Sequence, residues 1–423
     1  MDIWTIIGLL ALIIVAFTFL QQIGKSIPIL ELMLFIAGAQ WILGPTIEYA
    51  APSLHYKYYM YVPQDEYMSY VVPAYVLFSA AVLFIIRPYK NIKMPIENLG
   101  QYEQYGLTIF LIGVFFDIIG GSLPGTLGFF AFIISNFKFA GAILLYFSDR
   151  KMLRRVFYGA LVYLFISSLR KALFHDLILW SVFFYMFWAI KYRPSLKTVM
   201  LTFVAGVLSL TTLQTIKAAY RTKIWNGYSG NKLELFAGLF IDAVFLSGNN
   251  ANELDGELNN VRLNQGWIIS AIMDEIPMRQ EFLNGETIAD AIVATLVPRV
   301  FVADKKEAGG RENFRKFTGL RIEENTSMGI SIIGEAYGNF KIFGGILFMG
   351  IWGLIIAKIW IYLLARCFKN PLLLAFIPLI FLQVIKAETE LVVVLNHLVK
   401  SAIVVFGFFW ATRQFLNWEI ARE

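Results

Sequence analysis

Apolar residues fall in blocks along this chain, many of them near 20 residues long, with short polar joints between them. A helix crosses the hydrocarbon core with about 20 such residues, at about 1.5 Å of rise each. The blocks predict spans near Ile3–Leu20, Ile29–Ile47, Tyr70–Ile86, Gly106–Ile119, Thr126–Phe147 and Val156–Ser168. Others fall near Leu177–Ile190, Thr198–Thr212, Ile342–Ala365, Pro371–Lys386 and Leu391–Trp410, which makes about eleven. Several are shorter than the span rule asks, so they must extend or tilt. The pattern changes once, over the polar segment from Leu213 to Phe340, between spans eight and nine. The expected fold is therefore all-α: a polytopic membrane helix bundle with one large outer loop. Its parts are 1–212 (eight helices), 213–340 (the loop) and 341–423 (three helices). Within the loop, Leu233–Leu246 and Trp267–Ile276 are apolar enough to form amphipathic or re-entrant helices against the bundle.

Composition supports this class, with 58% hydrophobic and 16% charged residues and a mean hydropathy of +0.64. The net charge of +6 raises the question of nucleic acid, and the placement of the charge argues against it. Alternate short joints hold 15 Lys and Arg, against 4 in the opposite joints (Lys57, Arg170, Lys171 and Lys386). Basic residues stay on the cytoplasmic side, so the C-terminus is expected in the cytoplasm, with the N-terminus and the 213–340 loop outside. The loop is nearly charge-balanced, with 13 Lys/Arg and 16 Asp/Glu, so it is no acidic or basic tail. The first span has no basic leader and no small-residue cleavage site, so it reads as a retained helix. One cysteine, Cys367, leaves the loop without an intramolecular disulfide. No metal-ligand spacing occurs among three histidines and one cysteine, and neither a metal nor a cofactor is expected.

Candidate chemistry gathers in and beside the loop. Gln214, Lys217 and Arg221 are spaced three and four apart, on one helical stripe leaving the eighth span. Two cations there suit a diphosphate at headgroup depth, and arginine adds a bidentate fork. Snorkelling side chains that anchor a helix end would produce the same pattern. Arg262, Arg299 and Arg311 add single cations, Arg299 from the stiff point set by Pro298. Gly334 and Gly338 make a small-residue notch where another helix can approach. Ser327, Ser331, Glu335 and Asn339 form the neighbouring stripe, so Glu335 is a candidate base or an orienting partner for an arginine. Lys386, Glu390, His397 and Lys400 recur at helical spacing near the last span. They are either a Lys386–Glu390 pair with a capped helix end, or a polar wall on which His397 carries protons.

In order along the chain, Gln214-x-x-Lys217-x-x-Tyr220-Arg221, Arg262-x-Asn264, Val297-Pro-Arg299 leading to Asp304-Lys305, and Tyr337-Gly-Asn339-Phe340 resemble one family. They are similar to the bacterial oligosaccharide repeat-unit polymerases, the Wzy-type O-antigen and exopolysaccharide polymerases. The resemblance covers about a third of the chain in motif terms. Ala303 stands where a proline is expected and Lys341 where a glycine often follows the Asn-Phe pair. The resemblance implies a GT-C-like enzyme of the bacterial cytoplasmic membrane that joins glycans carried on undecaprenyl diphosphate. A chain-length regulator and a flippase of the same pathway are the implied protein partners. It implies Lys217, Arg221, Arg262 and Arg299 on the diphosphate, and Gln214, Tyr220, Asn264, Tyr337 and Asn339 on the sugar. Glu335 is the first candidate base and His397 the second. A ligase that moves the finished glycan, or a lipid-linked-oligosaccharide flippase, would share the architecture. A flippase is expected to bury charges in many spans and to repeat its halves, and neither is seen here.

Overall fold

The computed structural model describes residues 2–52, 58–90, 92, 94–96, 99–172, 174–246, 263–297, 310–323 and 328–418. Among them the secondary structure is helical, with no strand. Among the described residues, nine helices are long and apolar enough to cross a membrane. Two further expected spans take another form. Residues His175–Tyr192 make a regular helix of 18 residues with polar groups (His175, Asp176 and Lys191) near its ends. Residues Pro371–Ile380 are a tight 3-10 turn running into a four-residue helix.

The elements, in order, are α1 (Ile3–Gln22), α2 (Ile29–Ala50, with a π turn at Ala39–Leu43), α3 (Gln64–Ile86) and α4 (Glu103–Ile119). Then come α5 (Gly125–Ser135), α6 (Phe137–Tyr146), α7 (Lys151–Lys171), α8 (His175–Tyr192) and α9 (Leu196–Trp225). The loop holds α10 (Lys232–Ile241), α11 (Gly266–Glu275), α12 (Glu286–Leu296) and α13 (Arg311–Thr318). Two long helices close the chain, α14 (Ile332–Lys369) and α15 (Leu391–Phe415).

Small residues set the closest seams, because lipid offers no hydrophobic drive for helices to pair and backbone approach must supply the contact. The most extensive seam joins α3 to α14. A Cβ on Gly345 would sit 2.7 Å from the Tyr70 hydroxyl, and one on Gly350 2.8 Å from Leu77. The Tyr70 hydroxyl donates to the Ile333 carbonyl at 2.7 Å, fixing the two helices in parallel register. A second seam joins α4 to α6, where Gly113 lies on the Lys138 backbone and Gly141 on that of Phe110. By contrast α9 is exposed along nearly all of residues 200–209, as expected for a helix solvated by lipid.

The stretch after α14 shows why a broken segment is tolerated. Leu391 N–H, opening α15, donates to Glu335 near the start of α14 at 2.8 Å. The chain left α14 at Lys369. Residues 370–390 must therefore return along a helix about 42 Å long, taking residues 341–369 at about 1.5 Å each. Every residue from Pro371 to Leu382 is buried. Irregular backbone is stable at such depth only inside protein, where other groups satisfy it.

The loop helices are seated on the bundle. Helix α11 is buried on all sides from Gly266 to Met273, so the expected amphipathic stretch is sheathed by protein. Trp267 meets Phe314 of α13 at 6.1 Å. Helix α12 packs on α14 and α15. Helix α10 instead joins α7 and α9 through Phe236, which contacts Phe165, Phe174 and Tyr220.

Candidate functional site

Two polar clusters lie at the loop end of the bundle. The first is built on Ile332–Phe340, which is bracketed by non-glycine residues with positive φ: Ser331 at 62° and Lys341 at 63°. Both have extended ψ, a region that glycine alone enters freely, and holding a side chain there costs about 1–3 kcal/mol each. Gly334 and Gly338 form the expected notch. A Cβ on Gly334 would lie 2.8 Å from Ile272 of α11, and one on Gly338 would lie 2.6 Å from Phe317 of α13. Asn339 ties in α12: its Nδ2 donates to Thr287 Oγ1 and to the Glu335 carbonyl, both at 2.8 Å. Its Oδ1 accepts from Gly285 N–H at 3.1 Å.

Glu335 is 1% exposed, and its Oε2 takes the Leu391 N–H at the start of α15. A carboxylate at a helix N-terminus meets the unpaired N–H groups and the positive end of the dipole. Its Oε1 makes no hydrogen bond, although the Thr287 hydroxyl lies beside it. Glu390, also 1% exposed, is close enough for the two carboxylates to repel. Asn313 of α13 donates to Glu390 Oε2 at 3.1 Å, while its Oε1, like Ser331 Oγ, has no partner. Burial first, and Glu335 second, push the Glu390 carboxyl up to about 8. Glu390 thus keeps a proton at neutral pH, while Asn313 and the Gly310 N–H act against that rise.

The second cluster is cationic. Lys386 lies near enough to His175, Asp176, Glu388 and His397 for charge to act between them, and Lys217 acts on His175 as well. Burial is the dominant influence on both Lys386 and His175, yet each keeps solvent contact. His397 is buried on α15 beside the Ile380 backbone, and neither ring nitrogen makes a well-formed hydrogen bond. The segment between the clusters is fastened from both sides. Trp41 Nε1 donates to the Ala387 carbonyl at 3.3 Å, Ser331 N–H to that of Glu388 at 3.2 Å, and Thr389 Oγ1 to that of Lys386 at 2.7 Å.

The residues singled out in the sequence divide accordingly. Glu335 and Asn339 fall in the carboxylate cluster, with Tyr337 packed as a ring between Tyr70 and Phe282. Lys217 acts by charge on His175, and Lys386 acts by charge on both His175 and His397. Tyr220 is a packing residue whose hydroxyl donates to the Leu169 carbonyl at 3.0 Å. Arg221 lies over Trp225 at 4.7 Å and reaches the Ala172 carbonyl, at the end of α7, at 3.5 Å. Gln214 and Lys217 are both engaged with partners. Asn264 donates to Met60 Sδ at 3.6 Å and leaves its buried Oδ1 unpaired. Arg262, Arg299, Ser327 and the Asp304-Lys305 stretch lie outside the described residues. The expected Lys386–Glu390 pair is not formed: Glu390 turns to Asn313 and Glu335, while Asp176 and Glu388 are the acidic charges that act on Lys386. Sequence reading passed over Asn313 and Thr287 and found only a weak signal in His175. The only signal for His175 was a His-Asp step opening a helix soon after Arg170-Lys171.

No family model, curated protein or solved structure matches this chain.

Proposed function

We propose that the protein is a membrane glycosyltransferase that polymerises glycan repeat units carried on a polyprenyl diphosphate, at the outer face of a bacterial cytoplasmic membrane. The observation that carries this reading is the segment Lys386–Glu390, which runs from a half-buried lysine to a carboxylate pair beneath the loop helices. Transfer from a lipid diphosphate needs both. The acceptor sugar hydroxyl attacks the anomeric carbon, the bond from that carbon to the diphosphate oxygen breaks, and the diphosphate departs with the electron pair. Fixed cations that meet this developing charge supply the main electrostatic stabilisation. Lys217 and Arg221, with Arg262 and Arg299 from the loop, are the residues we assign to that anion. The hydroxyl proton passes to a base, with Glu335 as first choice and His397 as second. Glu335 is buried, and its Oε1 sealed from solvent, while α11, α12 and α13 are seated, so that oxygen meets an acceptor only when those helices lift.

The basic-residue split supports an outward loop and a cytoplasmic C-terminus. A cysteine introduced at Asn250 should react with a membrane-impermeant maleimide in cells whose outer membrane alone is permeabilised. Labelling only after inner-membrane lysis would reverse the orientation. The activity is tested by deleting the gene in its host. A polymerase predicts that the glycan ladder collapses to single repeats. Unattached long chains would indicate a ligase instead, and repeat units trapped on the inner leaflet a flippase.

A further inference from the structure

At the end of the bundle away from the loop, the α3–α14 seam opens. The two helices run in register, with Tyr70 at Gly345, Leu77 at Gly350 and Phe78 at Gly353. Helix α3 then stops at Ile86, and a 3-10 turn over Arg87–Tyr89 carries Pro88, which has no N–H with which to continue the helix. Helix α14 runs on to Lys369. The step left between them holds a cavity of about 500 Å³. Phe84, Ile85 and Ile361 give it an apolar wall, while Arg87, Tyr89 and Lys358 bring hydrogen-bond donors.

Those cations are unspent. Neither Arg87 nor Lys358 makes an ion pair or a side-chain hydrogen bond with any described residue, and no acidic side chain among them lines the cavity. Both are exposed. Their depth is fixed by the helices that carry them. No charge interrupts α3 between Glu66 and Arg87, or α14 between Lys341 and Lys358. At about 1.5 Å per residue these stretches run about 32 Å and about 26 Å, against about 30 Å of hydrocarbon core. Arg87 and Lys358 therefore come together at headgroup level. Snorkelling alone would send each cation into water by itself. Here two helices turn theirs into one hollow, with Phe84 and Ile85 nearer the bilayer centre.

We propose that this step is a seat for an anionic glycerophospholipid. Arg87 grips the phosphate diester with its fork, Lys358 adds a second charge, and the Tyr89 hydroxyl donates to a remaining oxygen. An acyl chain lies along Phe84 and Ile85, and the lipid fills the gap that the end of α3 leaves against α14. The seat is distinct from the loop-end clusters and does not rest on the polymerase reading.

The test titrates full-length, delipidated protein in detergent with dioleoyl phosphatidylglycerol and, separately, with dioleoyl phosphatidylcholine, following lipid-bound species by native mass spectrometry. A basic residue facing an anionic headgroup is worth about 5-fold in affinity, so Arg87→Gln and Lys358→Gln should each lose about that factor and the double variant about 30-fold. A control pair, Lys151→Gln with Arg155→Gln, removes two basic residues outside this cavity and should leave the affinity within about 2-fold. Unchanged affinity in the double variant overturns the proposal. So does an equal loss in the control pair, which would mean a diffuse positive surface. Equal binding of phosphatidylcholine overturns the anionic class, and displacement by equimolar glycerol 3-phosphate would make the seat one for a soluble phosphate. Without lipid the double variant should melt with wild type, since both side chains are exposed and unpaired. A lower melting temperature would make the two cations structural and overturn the seat.

Discussion

Two lysines sit inside this bundle, and their surroundings differ. Lys138, at the start of α6, donates to Asp117 and to the Ser135 carbonyl, both at 3.0 Å, and lies over the Phe139 ring at 4.7 Å. Tyr163 closes the group with a short hydrogen bond to Asp117. Lys386 makes no ion pair among the described residues, and the charges that act on it from further off are those of Asp176 and Glu388. The first is a completed structural unit that fixes α4 against α6. The second is an unfinished one. Partnering, more than burial, marks the lysine on which the fold depends.

The largest expected effect falls on the completed unit. Lys138→Met strands the Asp117 carboxylate and should cost about 2–4 kcal/mol, discounted because Asp117 keeps some solvent contact. Melting temperature in detergent measures it, and adding Asp117→Asn should restore most of the loss. Equal destabilisation by Lys138→Met and Lys386→Met would erase the distinction. Next comes the notch. Gly338→Leu must displace Phe317 and should unseat α13, at a cost of about 1–3 kcal/mol. Protease cleavage within Arg311–Thr318 should then speed up.

Glu335→Gln separates two roles of a single residue. Its carbonyl can still accept from Leu391 N–H, so stability should change little. Polymer synthesis should fall about 100-fold if Glu335 is the base. Full activity would move the assignment to His397. Glu390 gives a pH signature. Folded, it holds a proton up to about 8, whereas its ordinary value is 4.5. The folded state therefore binds a proton that the unfolded chain releases, and stability falls as pH rises between about 5 and 8. Glu390→Gln should flatten that slope in melting curves. The smallest effect belongs to Lys341→Gly, which relieves a strained φ of 63° and gives up a 5.1 Å contact with Phe282. A gain of about 1 kcal/mol is expected.

Much of this was legible in residue order. Block length gave the spans, four-residue spacing gave the Gly334–Gly338 notch, and the glycine expected at 341 marked a backbone position that does have positive φ. What spacing along one helix cannot show is which helix stands opposite. Lys386 and Glu390 are one turn apart and of opposite sign, so pairing was the natural expectation. The chain is irregular there, and each turns to a different neighbour. Glu335 was expected to face an acceptor or an arginine, but meets the first N–H of a helix 56 positions later. His175 gained meaning only when α8, α9 and α15 came together.

The buried return from Asn370 to Glu390 also bears on how the protein is made. A segment of short turns cannot satisfy its own backbone in lipid, so it has no stable transmembrane form until α14 and α15 enclose it. As the ribosome releases it, its destined partner α15 is not yet synthesised. This crossing must therefore wait at the translocon or slip back. Reporter fusions ending between residues 386 and 391 would then report the wrong side of the membrane, while fusions after residue 415 would report the mature topology.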